Sequence, residues 1–337
     1  MLVTSAGILV VDIIAADLPK VSDPGELTFT GRSIEIHIGG HAANVSIDLR
    51  KLGLKQGTVS LVGAIGEDIF GDYVKSILEK HGVENHLQRI RETGTSKDLI
   101  LVVKGQDRRY HVDVGANWHL SLEYVASVLD EEKPLIFYVG GVGFMGKLDE
   151  RLPNVLQRAK ELGCLTFVDP VTPYKHGWDI IIPSLGLIDV FHCNDLEATK
   201  ITGEEDPKKA GIALLKRGVK FVIISLGGRG LIALTKETML RMPAFNVPVI
   251  DPTGAGDAFC AGVIHALLRL SDQESLKITD YSKDELANVL LEGEAAGAAC
   301  VTQVGTTTAV TKENVDDLLS EQASDVLENV QFEMIDK

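Results

Sequence analysis

Short apolar runs, each closed by turn residues, alternate with amphipathic segments along most of this chain, and that alternation limits the folds open to it. Strand-like runs fall at 59–64, 135–140, 165–169, 187–192 and 221–226, and helix-period segments at 42–52, 71–81, 148–162, 196–202 and 207–217. A strand that is apolar on both faces must be covered on both, and a parallel neighbour requires a connection long enough to hold a helix. The pattern predicts an α/β fold, a three-layer sandwich around a mainly parallel central sheet.

The stretch at 2–16 is read as the first buried strand; its apolarity resembles a signal peptide, but Asp12 interrupts it and no Lys or Arg precedes it. Two stretches break the alternation, about 16–38 and 95–115, where polar and charged residues such as Thr28, Arg32, Glu35, His37, Lys97, Asp98, Arg108 and Arg109 interleave with apolar ones. Strands of that kind are covered on one face only, so the two stretches are expected to pair into a small β-sheet lid. Residues 1–325 then form a single α/β domain, and 326–337 a C-terminal tail with a frayed end.

Charge narrows the partners. The formal net charge of −15 repels phosphate backbones and anionic membrane surfaces, so neither nucleic acid nor a membrane is expected. An anionic small molecule is compatible with this charge if backbone N–H groups hold it. No apolar run is long enough to cross a bilayer, and Cys164, Cys193, Cys260 and Cys300 show no CxxC spacing. A reduced, cytoplasmic setting is the expectation.

The most informative segment is Asp251-Pro-Thr-Gly-Ala-Gly-Asp257-Ala-Phe-Cys-Ala-Gly262, a Gly-rich turn leading into a helix. A helix start leaves N–H groups unpaired, and glycines let a ligand approach them. Gly254, Ala255, Gly256 and Asp257 could thus form an anion hole, with the Asp257 carboxylate beside it to take a proton from an attacking hydroxyl. Read alone, the segment is equally a helix N-terminus with a first-turn carboxylate. A second Gly pair, Gly39-Gly40, opens the helix that carries His41 and Asn44, where the Asn44 amide could hold a sugar hydroxyl. Asn194-Asp-Leu-Glu197 follows a strand and by itself reads as an N-cap with a capping-box glutamate.

Together these segments resemble the ribokinase-like (PfkB) carbohydrate kinase family over roughly residues 3–310. The resemblance also rests on the stretch 39–53, on Val62-Gly-Ala-Ile-Gly-Glu-Asp68 with Gly71, on Thr93-Gly-Thr, on Gly115-Ala-Asn117 and on Ser225-Leu-Gly-Gly-Arg-Gly230. It implies a ribokinase-like sandwich with a β-sheet lid and transfer of the γ-phosphate of ATP to a hydroxyl of a sugar, inositol or nucleoside. Asp257 is the implied base and the 254–257 backbone the anion hole. Asp12, Gly39, Gly40, His41 and Asn44 are the implied substrate residues. Asn194 and Glu197 are implied to organise Mg2+, Glu197 through water, and the nucleotide phosphates; Ser225, Gly227, Gly230, Gly254 and Gly256 to line the ATP site; and the lid to form a homodimer contact. Members that use K+ place it at the segments matching Asp251, Thr253 and the 300–309 loop. Ala309 stands where some of them have a hydroxyl, and Val171-Thr172 follows Asp169-Pro170 where the family often has Asn.

Two alternatives stay open on sequence alone. One is a catalytically inactive sugar- or nucleotide-binding regulator on the same fold. The other is an NAD-binding dehydrogenase built on Gly141-Val-Gly-Phe-Met-Gly146, which fits GxGxxG between a strand and a helix, with Asp169 as the acidic partner.

Overall fold

The computed structural model describes residues 1–106, 108–271 and 276–335. Asp107 of the expected lid and residues 336–337 of the expected tail lie outside them. The strands are β1 (Val3–Gly7), β2 (Val10–Leu18), β3 (Glu35–Gly39), β4 (Val59–Gly66), β5 (Glu84–Ile90), β6 (Lys97–Val103) and β7 (Arg109–Asp113) in the first part of the chain. They continue with β8 (Ile136–Val142), β9 (Leu165–Pro170), β10 (Val190–Asn194), β11 (Phe221–Ser225), β12 (Leu231–Leu234), β13 (Thr238–Met242) and β14 (Gln331–Met334). A ten-stranded sheet runs β14-β13-β12-β11-β10-β9-β8-β1-β4-β5. Its strands from β5 through β11 are parallel, while β12, β13 and β14 are antiparallel additions at one edge.

Helices cover both faces, as the doubly buried strands require. These are α1 (His41–Lys51), α2 (Ile69–Lys80), α3 (Leu122–Glu132), α4 (Lys147–Glu150), α5 (Leu152–Glu161), α6 (Asp195–Thr202), α7 (Pro207–Lys216), α8 (Ala255–Leu270), α9 (Lys283–Cys300) and α10 (Lys312–Glu328). One core joins α1, α8, α9 and α10 to the sheet through Val45, Leu49, Phe167, Val263 and Leu290. The opposite core joins α3, α5, α6 and α7 through Val125, Leu156, Ala198 and Leu214. The expected sandwich is therefore present.

The lid is a separate four-stranded sheet, β3-β2-β6-β7. Here the structure corrects the reading of 2–16 as one strand: the chain leaves the central sheet after Gly7 and re-enters a strand at Val10, in the lid. The crossing is pinned by Asn117, which accepts from the Leu9 N–H at 3.0 Å and donates to the Leu9 carbonyl at 2.9 Å. The segment at 148–162 is two helices, parted at Arg151, with Pro153 in the first turn of the second. The C-terminal segment is also more ordered than a tail, since Gln331–Met334 pairs with β13. No helix among the described residues is long and apolar enough to cross a membrane.

Candidate active site

The parallel strands end along one edge of the sheet, where open α/β folds bind ligands, and α8 starts there. Gly254 has a left-handed backbone, φ 82°, and packs against Thr306 so closely that a Cβ would collide with it. Among the described residues no side chain caps α8, and the Ala255 N–H reaches only the Pro252 carbonyl, at 3.4 Å. The helix start thus keeps amide dipole facing outward. Asp257 lies on its first turn, 8% exposed. Its Oδ2 accepts from Asn44 Nδ2 at 2.8 Å, whereas its buried Oδ1 has no hydrogen-bond partner among the described residues. Burial raises the Asp257 pKa above the ordinary carboxylate range, Asp169 adds to this, and His41 and Asn44 oppose it.

The first turn of α1 forms the facing wall. Gly40 caps it with φ 93°, and a Cβ there would meet the Ile8 backbone. His41 Nε2 stands 3.9 Å from Asp257 Oδ1. Burial works against a charge on His41, but Asp257, Asp169 and Glu197 outweigh it and raise its pKa. Thr306 completes the hold on Asn44: its hydroxyl is 2.9 Å from Asn44 Oδ1 and 3.1 Å from the Ile38 carbonyl. Above this wall the lid presents Asp12, which pairs with His37 on β3 and Asp98 on β6. A Cβ on Gly39 would run into the Asp12 carboxylate. Burial pushes the Asp12 pKa up to about 7, with repulsion from Asp98, Asp257 and Asp251 adding to it.

Beneath Asp257 lies a cluster that sequence reasoning did not place in the site. Asp169 ends β9 and His192 sits on neighbouring β10; the Asp169 Oδ1 to His192 Nδ1 distance is 3.1 Å. Tyr138 and Cys260 donate to Asp169 Oδ2 at 3.3 and 3.6 Å, and Phe259 stacks on His192. Burial disfavours charge on both partners, yet each favours the charged form of the other: Asp169 lies below and His192 above its ordinary pKa. His41, Asp169 and Asp257 bring ligand atoms within 4.8 Å of one another. The position of Asp169 at a strand end was the available signal.

Asn194 and Glu197 form the capping box that their spacing suggests: each backbone N–H donates to the other's side chain at 2.9 Å. Burial and nearby Asp169 push Glu197 up to about 7. Its carboxylate is the oxygen type that Mg2+ takes, and one of its oxygens already accepts from the Asn194 N–H, which fits contact with the ion through water. Ser225 ends β11 beside this box, and Gly227 lies open to solvent with φ 59°. Gly230 is buried against the Met242 carbonyl, so its part is to turn the chain between β11 and β12. Asp251 and Thr253 precede Gly254 and are bonded to each other and to lid residue Arg108.

The Gly141–Gly146 loop does not offer a dinucleotide site. Gly141 packs on Ile8, Gly143 on Pro173 and Gly146 on Trp118. The helix that follows has 4 residues, too short to aim a dipole at a pyrophosphate. Asp169, its expected ribose partner, is spent on His192 and Tyr138.

An uncapped helix start, a buried carboxylate beside it and a separate small sheet at a parallel-sheet edge define a phosphotransferase with an alcohol acceptor. The chain belongs to the pfkB family of carbohydrate kinases, whose family model matches residues 2–313. It is 28% identical over 306 residues to a ribokinase of Haemophilus influenzae, covering 87% of this chain and 90% of that one. Its fold matches ribokinase from Giardia lamblia with a TM-score of 0.81 at 21% identity, over 94% of this chain and 99% of that one. Fructokinase with bound ATP from Xylella fastidiosa matches with a TM-score of 0.77 at 21% identity, over 95% and 98% of the two chains. The dehydrogenase alternative is overturned by this membership.

Proposed function

We propose that this kinase transfers the γ-phosphate of ATP to a hydroxyl of a sugar, inositol or nucleoside, with Asp257 as general base. The observation that carries the proposal is the buried Oδ1 of Asp257, without a hydrogen-bond partner among the described residues, beside a start of α8 that none of their side chains caps. A loose phosphoryl-transfer transition state asks the protein for positioning and for donors to the charge on the moving group. Asp257 Oδ1 accepts the proton of the acceptor hydroxyl, and Asn44 keeps the carboxylate aimed by holding Oδ2. The N–H groups of Ala255, Gly256 and Asp257 receive negative charge on the transferring group; one such donor is worth about 2.7–4 kcal/mol in the barrier.

Asp12, with the Gly39-Gly40 backbone, holds the acceptor's other hydroxyls from the lid side, and His41 adds positive charge next to the reacting oxygen. Asn194, Ser225 and the Gly227 turn receive the nucleotide. Glu197 holds Mg2+ through water, and the ion when bound neutralises phosphate charge. Lid closure excludes water that would otherwise compete as acceptor. The relatives named for ribose and fructose, one with bound ATP, support this donor and acceptor class. A second copy of the chain covers the lid's other face, where Ile36, Ile13 and Leu99 stand in register and Ile36 and Leu99 are 49% and 43% exposed. A panel of sugars, inositols and nucleosides with ATP and Mg2+ tests the reading. Phosphate transfer to at least one member is expected, and acceptor binding without transfer to any would contradict it.

A further inference from the structure

The turn at 251–254 and the loop at 300–309 are where K+-using relatives would place a monovalent ion, and here each is met by a cation of the chain itself. Arg108, just before lid strand β7, donates from Nη1 to Asp251 Oδ1 and to Thr253 Oγ1. The ion pair is largely withdrawn from water, with side chains 17% and 13% exposed. On the loop side, Lys51 of α1 donates from Nζ to the carbonyls of Thr307 and, at 3.0 Å, Thr308.

A bare cation needs several oxygens that converge on one point with no proton aimed at them. Several other oxygens of the two segments also accept hydrogen bonds. Asp251 Oδ1 also accepts from the Thr253 N–H at 3.0 Å and hydroxyl at 2.7 Å, and Oδ2 from the Gly305 N–H at 3.3 Å. Cys300 Sγ lies 3.4 and 3.2 Å from the carbonyls of Thr253 and Thr306, and its one S–H donates to one of them. The Val301 carbonyl accepts from the Ile250 and Asp251 N–H groups at 2.7 and 3.2 Å. With a guanidinium seated on Asp251 and Thr253 and an ammonium on the Thr307 and Thr308 carbonyls, these oxygens do not fit a potassium ion.

We infer that Arg108 is the built-in cation of this site. Its guanidinium stands in for a monovalent metal and fastens the lid to the turn that leads into α8. Lid closure, rather than dissolved K+, then sets the geometry of the 251–254 turn. A fixed planar cation with directed donors suits this task, because it satisfies a carboxylate and a hydroxyl at once. Arg108 is a positioning residue, since it acts through Asp251 and Thr253. The inference rests on the proposed kinase reaction for its rates but not for its melting behaviour.

The test compares the full chain with R108Q and R108K in potassium chloride and in tetramethylammonium chloride at matched ionic strength, by melting temperature and by phosphate transfer. The wild type is expected to melt and turn over alike in the two salts. R108Q should lose transfer by roughly tenfold in tetramethylammonium, the worth of one charge-assisted hydrogen bond, and regain part of its rate and melting temperature in K+, with R108K intermediate. Clear stabilisation or activation of the wild type by K+ would overturn the inference. So would R108Q behaving as wild type in both salts, or losing rate equally in both. If no acceptor is phosphorylated by the wild type, the melting comparison alone decides the role of Arg108, and the kinase reading fails separately.

Discussion

Asn44 Nδ2 donates to Asp257 Oδ2 across 2.8 Å, joining the first turns of two helices whose residues are 213 positions apart in the chain. Each helix carries half of the site, so this bond fixes the distance between the wall proposed to hold the acceptor and the one proposed to hold the anion. It also stabilises the charged form of a carboxylate that burial drives toward protonation.

Asn44→Ala should therefore act twice. A hydrogen bond to a charged group is worth about 1.5–3 kcal/mol, so kcat/KM should fall by roughly 10- to 100-fold. The acidic limb of the pH–rate profile, which reports the base losing its negative charge as pH falls, should also move to higher pH because a group that lowers the Asp257 pKa is gone. Transfer rates across a pH series would show both changes, and an unshifted limb would detach Asn44 from Asp257 chemistry.

Asp12, on lid strand β2 near Asp257, is pushed up to about 7 by burial and its acidic neighbours. If it holds acceptor hydroxyls, Asp12→Ala should raise the acceptor KM by about tenfold or more while nucleotide affinity changes little, because the loss is confined to one substrate. Steady-state kinetics with each substrate varied in turn, together with nucleotide titration, separate the two affinities.

Glu294 on α9 gives a prediction about stability. Burial pushes its pKa from 4.5 to about 8, partly offset by His192. Between those two values the folded chain keeps a proton that the unfolded chain has released, so stability declines as pH rises through that window. Glu294→Gln removes this loss. Denaturant unfolding should find the variant more stable than wild type at about pH 8, on the order of 4 kcal/mol, with the difference shrinking toward pH 5.

The central strands could be read from the sequence because each is apolar on both faces, and the helix starts because their glycines and caps are local signals. The first strand could not be bounded: both β1 and β2 are apolar, and they part only because their partners, Val59 and Lys97 among them, belong to different sheets. The site divided the same way. Asp257, Asn44 and the Asn194–Glu197 box sit in recognisable short patterns. The Asp169–His192 pair comes together only through the order of β9 and β10. Thr95, one of the family-like motif residues, serves structure instead: it donates to Asp68, which caps α2.

Single-turnover phosphate transfer by Asp257→Asn, measured beside its melting curve and nucleotide affinity, addresses the proposed base most directly. The fold and nucleotide binding should persist, with melting unchanged or raised because a buried charge has been removed, while the transfer rate drops by about 10²- to 10⁴-fold. A folded variant that binds nucleotide and transfers phosphate within tenfold of wild type would show that Asp257 is not the base.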